Sequence, residues 1–284
     1  MIEFEKVTYT YPSGVTALRD ISLSIGGGEI VALMGENGAG KTTFLKLLNG
    51  LLKPTSGVVR VDGVDTRTTT VASLARLVGL VFQNPDSMFF CPTVLEEVSY
   101  ALIQFGLSKE EGAKQAEKTL ISLGLWHLRN LSPFTLSGGE KKRLAIAVVM
   151  AWSPKYVVID EPTSGLDGRG KRTLKELLEE LLRGGKCVII SSHDVEFVSE
   201  VASRVVLLRR GEVIADGPSE EILTNTELLT SASLLTPQIP ALFKELRDQG
   251  FRGLNHRCIK MEDALRELSS LLGRPNLDLR SGSA

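Results

Sequence analysis

From Ile2 to Tyr9 apolar and polar side chains alternate, the period of a strand with one buried face. Tyr11-Pro-Ser-Gly14 interrupts the pattern with turn residues, and alternation returns from Ala17 to Ile25 before Gly26-Gly-Gly28. The pattern then changes. Glu29-Ile-Val-Ala-Leu-Met34 is a continuous apolar run, and so are Val78 to Phe82, Tyr156 to Asp160 and Cys187 to Ser191. Such runs are expected of strands buried on both faces of a parallel sheet. Between them lie helical patterns at Lys41 to Asn49, Lys141 to Met150 and Lys171 to Arg183, the last closed by Gly184-Gly185. After the Lys53-Pro-Thr-Ser-Gly57 loop, Val58 to Val61 reads as a short strand with an Asp62-Gly63 turn. Arg204 to Arg209 and Glu212 to Ala215 read as two strands flanking Arg210-Gly211. Alternating strands and helices predict an α/β fold: a mostly parallel core sheet covered by helices, plus an antiparallel N-terminal sheet.

Thr93 to Leu123 departs from that alternation. It is helical throughout, apart from a break at Gly106-Leu-Ser108, where Ser108 and Glu111 have the spacing of a capping box. This predicts a helical subdomain, about residues 84–150, inserted into the core. After Thr224 connectors (Ser231-Ala-Ser, Thr236 to Pro240) alternate with two helices, Pro240 to Gln249 and Glu262 to Leu272. Residues 224–284 therefore read as a small C-terminal extension to a main unit of residues 1–223, with Arg280 to Ala284 expected to be disordered. No internal repeat is visible.

Composition narrows the function classes. The 284 residues carry 33 basic and 34 acidic side chains, a balance that gives no footprint for nucleic acid. Hydrophobic residues make up 43% and no apolar run approaches the ~18 residues of a membrane span, so any membrane role is expected to go through a partner. The first residues, Met1-Ile-Glu-Phe-Glu-Lys6, have no signal-peptide pattern. Cys91, Cys187 and Cys258 are few, odd in number and far apart, which fits a reducing compartment and supports neither a disulfide framework nor a zinc site. His127, His193 and His256 are equally scattered and form no metal cluster.

The first strong chemical signal is Gly35-Glu36-Asn37-Gly38-Ala39-Gly40-Lys41-Thr42, directly after an apolar strand. Its glycines let the backbone turn tightly and aim N–H groups at an anion, and the following helix adds its positive end. Lys41 can reach the β- and γ-phosphates of a nucleotide, and the Thr42 hydroxyl can ligate Mg²⁺. Asp160 and Glu161 end a later apolar strand at the same sheet edge. One carboxylate there can hold Mg²⁺ and the next, Glu161, can activate a water. Gln83 and His193 also follow apolar runs. The Gln83 amide either touches the metal or the water, or is a solvated loop side chain. A lone histidine is usually structural, but the strand-end position of His193 favours a γ-phosphate contact. Leu136-Ser-Gly-Gly-Glu140 opens a helix, with Ser137 as cap and Gly138 and Gly139 exposing N–H groups. Taken alone, this segment reads as an ordinary helix cap.

Together these segments, with Tyr11 and Ser164-Gly-Leu-Asp167, stand in the order and spacing of an ATP-binding cassette. Over residues 1–223 the chain resembles the nucleotide-binding subunit of ABC transporters. The resemblance implies ATP and Mg²⁺ as ligands and hydrolysis coupled to transport. It makes Tyr11 the aromatic against adenine, and residues 35–43, including Thr43, the phosphate cradle. It gives Thr42, Gln83 and Asp160 to the metal, and makes Gln83 the switch toward the membrane partner. Catalytic roles fall to Glu161, His193, Lys41 and Gln83. Ser137, Gly138 and Gly139 become the signature that grips ATP bound to the opposite subunit, and Asp167 an inter-subunit loop residue. One phosphate loop and one signature per chain then imply a two-fold, head-to-tail dimer enclosing two ATP molecules.

The segment Gln83 to Val98 and the extension after Thr224 are similar to those of energy-coupling-factor importer ATPases, the cobalt, nickel and vitamin uptake systems. Ser87-Met88 departs from their pattern. This narrower resemblance implies import of a metal ion or vitamin at the cytoplasmic face of the membrane. The implied partners are a second ATPase subunit, identical or different, a transmembrane coupling subunit and a substrate-binding membrane subunit. The extension is implied to help join the two ATPase subunits. Met88-Phe-Phe90 is either core packing or a docking surface for a partner's helix. The rival readings are a soluble ABC-type ATPase acting on nucleic acid or ribosomes and a GTP switch. The first predicts a coiled coil, zinc insert, second cassette or basic arm, and the second an Asn-Lys-x-Asp motif; the sequence has none of these.

Overall fold

The computed structural model describes residues 1–251, 253–255 and 257–271. Its first half comprises β1 (Ile2–Thr10), β2 (Thr16–Ile25), β3 (Ile30–Met34), α1 (Lys41–Leu48), β4 (Ser56–Val61), β5 (Val64–Asp65), α2 (Val71–Ala75), β6 (Val78–Val81), α3 (Val94–Gln104) and α4 (Lys109–Ser122). The second comprises α5 (Gly138–Met150), β7 (Tyr156–Asp160), α6 (Gly168–Arg183), β8 (Cys187–Ser192), α7 (Val195–Val201), β9 (Arg204–Arg209), β10 (Glu212–Pro218), α8 (Ser219–Leu223), α9 (Thr226–Ser231), α10 (Gln238–Asp248) and α11 (Met261–Leu271).

The alternating strands form an antiparallel sheet in the order β2-β1-β4-β5. Its register sets Ile2 opposite both Ile25 and Val61, so Ile2, Phe4, Ile25, Val59 and Val61 are buried. Phe4 lies stacked on Phe44 of α1, with ring centroids 4.2 Å apart. The apolar runs form the second sheet, β10-β9-β3-β8-β7-β6, parallel except for the edge pair β9–β10. Every residue of β3, β7 and β8 is buried, as continuous apolar strands require. One face of this sheet shares a core with α1 and the antiparallel sheet. Its other face packs α5 and α6, with α3 and α4 beyond.

The helical stretch divides at Gly106, where φ is +107°, and Ser108 and Glu111 make the expected reciprocal cap of α4. Four short helices, α2, α7, α8 and α9, have no counterpart in the sequence pattern, being only five to seven residues long. β10 runs on through Asp216-Gly-Pro218, beyond the expected end at Ala215. The Arg204–Asp216 ion pair at 2.7 Å and the ladder to β9 hold it extended, and Pro218 sits at the end of an edge strand. α10 starts at Gln238, two residues before the expected Pro240, because proline is tolerated in a first helical turn. The extension has its own small core of Ile239, Phe243, Leu254, Cys258 and Ala264. The first amides of α10 and α11 point at two carboxylates on α7: Gln238 N to Glu196 Oε1 at 2.8 Å and Met261 N to Glu200 Oε1 at 3.4 Å. Leu272, His256 and the Arg280–Ala284 tail lie outside the described residues. No helix among the described residues is long and apolar enough to cross a membrane.

Candidate active site

Parallel pairing puts the carboxyl ends of β3, β8 and β7 side by side, with Met34 opposite Ser192 and Asp160 opposite Ser191. The loops leaving these ends surround a cleft of 690 Å³ lined by Tyr11, Lys41, Thr42, Gln83, Glu161 and His193, among others. Six residues separated by up to 182 positions in the sequence thus share one site. Open α/β sheets bind ligands at this edge.

In the loop, Gly35, Gly38 and Gly40 all have positive φ, at 150°, 85° and 106°. Two are also sterically fixed. A Cβ on Gly35 would stand 2.2 Å from the Leu208 carbonyl oxygen, and one on Gly40 2.6 Å from that of Ala17. Ala39 turns its methyl into the core, and the Glu36 carbonyl accepts from Ala39 N at 3.1 Å. Lys41, 7% exposed, donates to the carbonyls of Gly35 at 2.7 Å and Glu36 at 3.2 Å, and stands 3.5 Å from Glu161 Oε1. The Thr42 hydroxyl donates to Asp160 Oδ2 at 2.8 Å. Thr43 bonds the Tyr11 hydroxyl at 2.8 Å, which pins that ring at the cleft rim.

Glu161 is the most constrained residue here. Its φ of +44° is a conformation that costs a non-glycine residue roughly 1–3 kcal/mol. Its N–H donates to Ser191 Oγ at 2.8 Å, and its carbonyl accepts from Ser164 N at 3.2 Å. Its carboxylate, 8% exposed, lies between Lys41 and His193, whose Nδ1 is 2.9 Å from Oε2. With the ring proton on Nδ1 this contact is a hydrogen bond; with it on Nε2, Oε2 is a buried acceptor without another partner among the described residues. Gln83 is exposed at the cleft wall, and Asp160 lies just beneath it, 3% exposed, accepting from both Thr42 and Ser191.

Ser137, Gly138 and Gly139 are not in this cleft. They form the exposed N-terminal turn of α5, where Ser137 and Glu140 cap each other reciprocally. The Ser137 hydroxyl, with its backbone N–H, holds the Glu140 carboxyl below its usual range. Asp167 caps α6 through Gly170 N at 2.7 Å. Met88-Phe-Phe90 is split: Phe89 is core, 6% exposed, whereas Phe90 is 62% exposed and set edge-on to Tyr100.

Several site residues give no signal in the sequence. Ser191 is fully buried and bridges the Asp160 carboxylate to the Glu161 amide, which only the β7–β8 register reveals. Arg19 and Arg210 line the cleft from β2 and the β9–β10 turn, with Arg19 N bound to Gly211 O at 2.8 Å. The Arg210-Gly211 turn was legible as a turn, but its meeting with β2 was not.

A family model described as ABC transporter matches residues 18–164. The energy-coupling factor transporter ATP-binding protein EcfA of Methanothermobacter thermautotrophicus is 43% identical over 96% of this chain and 88% of that protein. That of Methanosphaera stadtmanae is 40% identical over 87% of this chain and 89% of that protein. Among solved structures, cbiO1 from Clostridium perfringens, part of the ABC transporter complex cbiONQ, superposes with a TM-score of 0.73 at 34% identity, covering 86% and 98% of the two chains. A dimeric ATP-binding cassette in a post-hydrolysis state with ADP and Pi gives 0.71 at 33% identity, covering 77% and 99%. The chain belongs to the ABC transporter family. It binds ATP and is an ATP hydrolase of the kind that family couples to transport.

Proposed function

We propose that the chain powers import of a small solute, a metal ion or vitamin, as the ATPase of an energy-coupling-factor-type transporter at the cytoplasmic face of the membrane. The similarity to the EcfA proteins and to cbiO1 supports that subtype. The partners are a second ATPase subunit, a transmembrane coupling subunit and a substrate-binding membrane subunit. The balanced charge speaks against nucleic acid as a partner.

The observation that carries the mechanism is the split site. Catalytic groups converge in one cleft, while Ser137 to Gly139 do not line it and form the first turn of α5. A helix N-terminal turn of this kind, outside its own cleft, would complete the cleft of a second copy. The backbone amides of residues 35–43 and Lys41 hold the triphosphate, and Tyr11 offers its ring to the base. Thr42, Asp160 and Gln83 supply hydroxyl, carboxylate and amide oxygens, a hard-oxygen set that suits Mg²⁺. Mg²⁺, when bound, neutralises charge on the β- and γ-phosphates. The Glu161 carboxylate accepts the proton of the attacking water, His193 orients it, and Lys41 stabilises charge developing on the γ-phosphoryl. Closure on ATP and opening after hydrolysis then move the membrane partner through the Gln83 segment. The extension after Thr224 assists pairing of the two ATPases.

Detergent-solubilised membranes test the assignment. The tagged chain should co-purify with a multi-span membrane subunit and a small second membrane protein. Recovery with polysomes instead would support the soluble rival. Phe90 and Tyr100 give the docking surface its exposed aromatic pair. Their double replacement by serine should leave ATPase activity of the isolated subunit within about twofold, yet abolish capture of the membrane partner. Undiminished capture would remove this surface from the interface. Phe89 is left intact in that test because it is core.

Glu140 adds a second prediction. It puts an ionised carboxylate at the turn that would meet the partner-bound γ-phosphate, and like charges at such exposed range repel by about 1 kcal/mol. Glutamine also satisfies a capping box. Glu140→Gln should therefore tighten ATP-driven dimerisation by roughly fivefold in sedimentation. Weaker dimerisation would show that the charge is not facing the phosphate.

A further inference from the structure

The scheme above leaves one buried lysine unused. Lys142 lies in the first turns of α5, shortly after Ser137 to Gly139, and is only 4% exposed. Its Nζ donates to two backbone carbonyls, those of Gln83 and Glu161, each at 3.3 Å. The two acceptors lie on different loops, one leaving β6 and one leaving β7, strands that pair as far as Val81 and Ile159. Without Lys142, no side chain among the described residues donates to both loops. Its neighbour Lys141 reaches only the outer part of the Gln83 loop, pairing with Asp86 at 2.8 Å.

Keeping an ammonium here is costly. Burial pushes its pKa down to about 8, against the pull of the Asp160 and Glu161 carboxylates, and an apolar side chain of similar volume would avoid that penalty. What the charge does here is fix backbone. The strained Glu161 keeps its φ of +44° through bonds at both ends: Ser191 on its N–H, and Ser164 and Lys142 on its carbonyl. Removing Lys142 leaves the carbonyl to Ser164 alone. The Glu161 peptide can then tilt and carry its carboxylate out of line.

We propose that Lys142 is a positioning residue for ATP hydrolysis: its ammonium clamps the turn bearing Glu161 to the loop bearing Gln83. Because it sits on α5, it also ties the chain's own hydrolytic site to the helix whose first turn serves the partner's site. The inference rests on Glu161 acting as the base and on the cross-dimer reading of Ser137 to Gly139.

Lys142→Met removes the donor and keeps the volume, while Lys142→Gln restores an uncharged donor. A carboxylate displaced by about 1 Å loses on the order of 10²-fold in rate. The Met variant should therefore lose about 30-fold or more in kcat, with KM and titrated nucleotide affinity within about threefold of the wild type. The Gln variant should recover a large part of the lost kcat. A Met variant with kcat within about twofold of wild type overturns the proposal. So does loss of nucleotide binding in both variants, which would make Lys142 a residue of the fold alone. Glu161→Gln, assayed in parallel, separates the levels. If it turns over normally, the base assignment fails; if it is dead while Lys142→Met is active, only the clamp fails.

Discussion

Glu161→Gln is expected to cut steady-state ATP turnover by about 10²- to 10⁴-fold while leaving nucleotide affinity within about threefold. Glutamine keeps the shape and can still meet His193, which stands 2.9 Å from Oε2, but it cannot take a proton from water. The backbone contacts that hold the strained φ, from Ser191 and Ser164, do not involve the side chain and survive the change. The loss should therefore fall on kcat and not on folding. Phosphate release at saturating ATP, measured beside nucleotide titration, makes the comparison. A variant that hydrolyses ATP at the wild-type rate would remove Glu161 from the role of base.

Lys41→Ala should weaken ATP binding by roughly 30- to 100-fold, since a charge-assisted contact to phosphate contributes about 2–3 kcal/mol. The structure adds a second consequence. Lys41 also closes the loop onto itself through the Gly35 and Glu36 carbonyls and stands 3.5 Å from the buried Glu161 carboxylate. Removing it leaves that carboxylate without its cation, so the melting temperature should fall as well. Titration with a fluorescent ATP analogue is the check. Unchanged affinity would contradict the phosphate-loop assignment, whatever the thermal shift.

Local chemistry was legible wherever it is carried by backbone type and strand ends. The glycines at 35, 38 and 40 announce a loop that needs positive φ, and three largely apolar strands announce where their last residues are delivered. Contacts set by register were not legible. Ser191 looks like one more residue of an apolar run until β7 and β8 are paired, and only then is it seen to join Asp160 to Glu161. Lys142 looks like a solvated helix charge, because its burial comes from two loops more than 15 residues away in the chain. Phe89 and Phe90 are identical in composition terms, and only the backbone of the segment before α3 decides that one is core and the other surface. Asp216-Gly-Pro218 has strong turn chemistry that tertiary pairing with β9 overrides. The short helices α7 to α9 fall below the length at which apolar period is readable.

The central claim is that one copy's cleft is finished by Ser137 to Gly139 of another. Sedimentation of Glu161→Gln at saturating Mg²⁺ and ATP tests it most directly. The particle should have twice the mass of a single chain, and it should fall to the single-chain mass when ATP is removed or when Ser137 is replaced by arginine. A single-chain mass with the nucleotide site filled would contradict the claim.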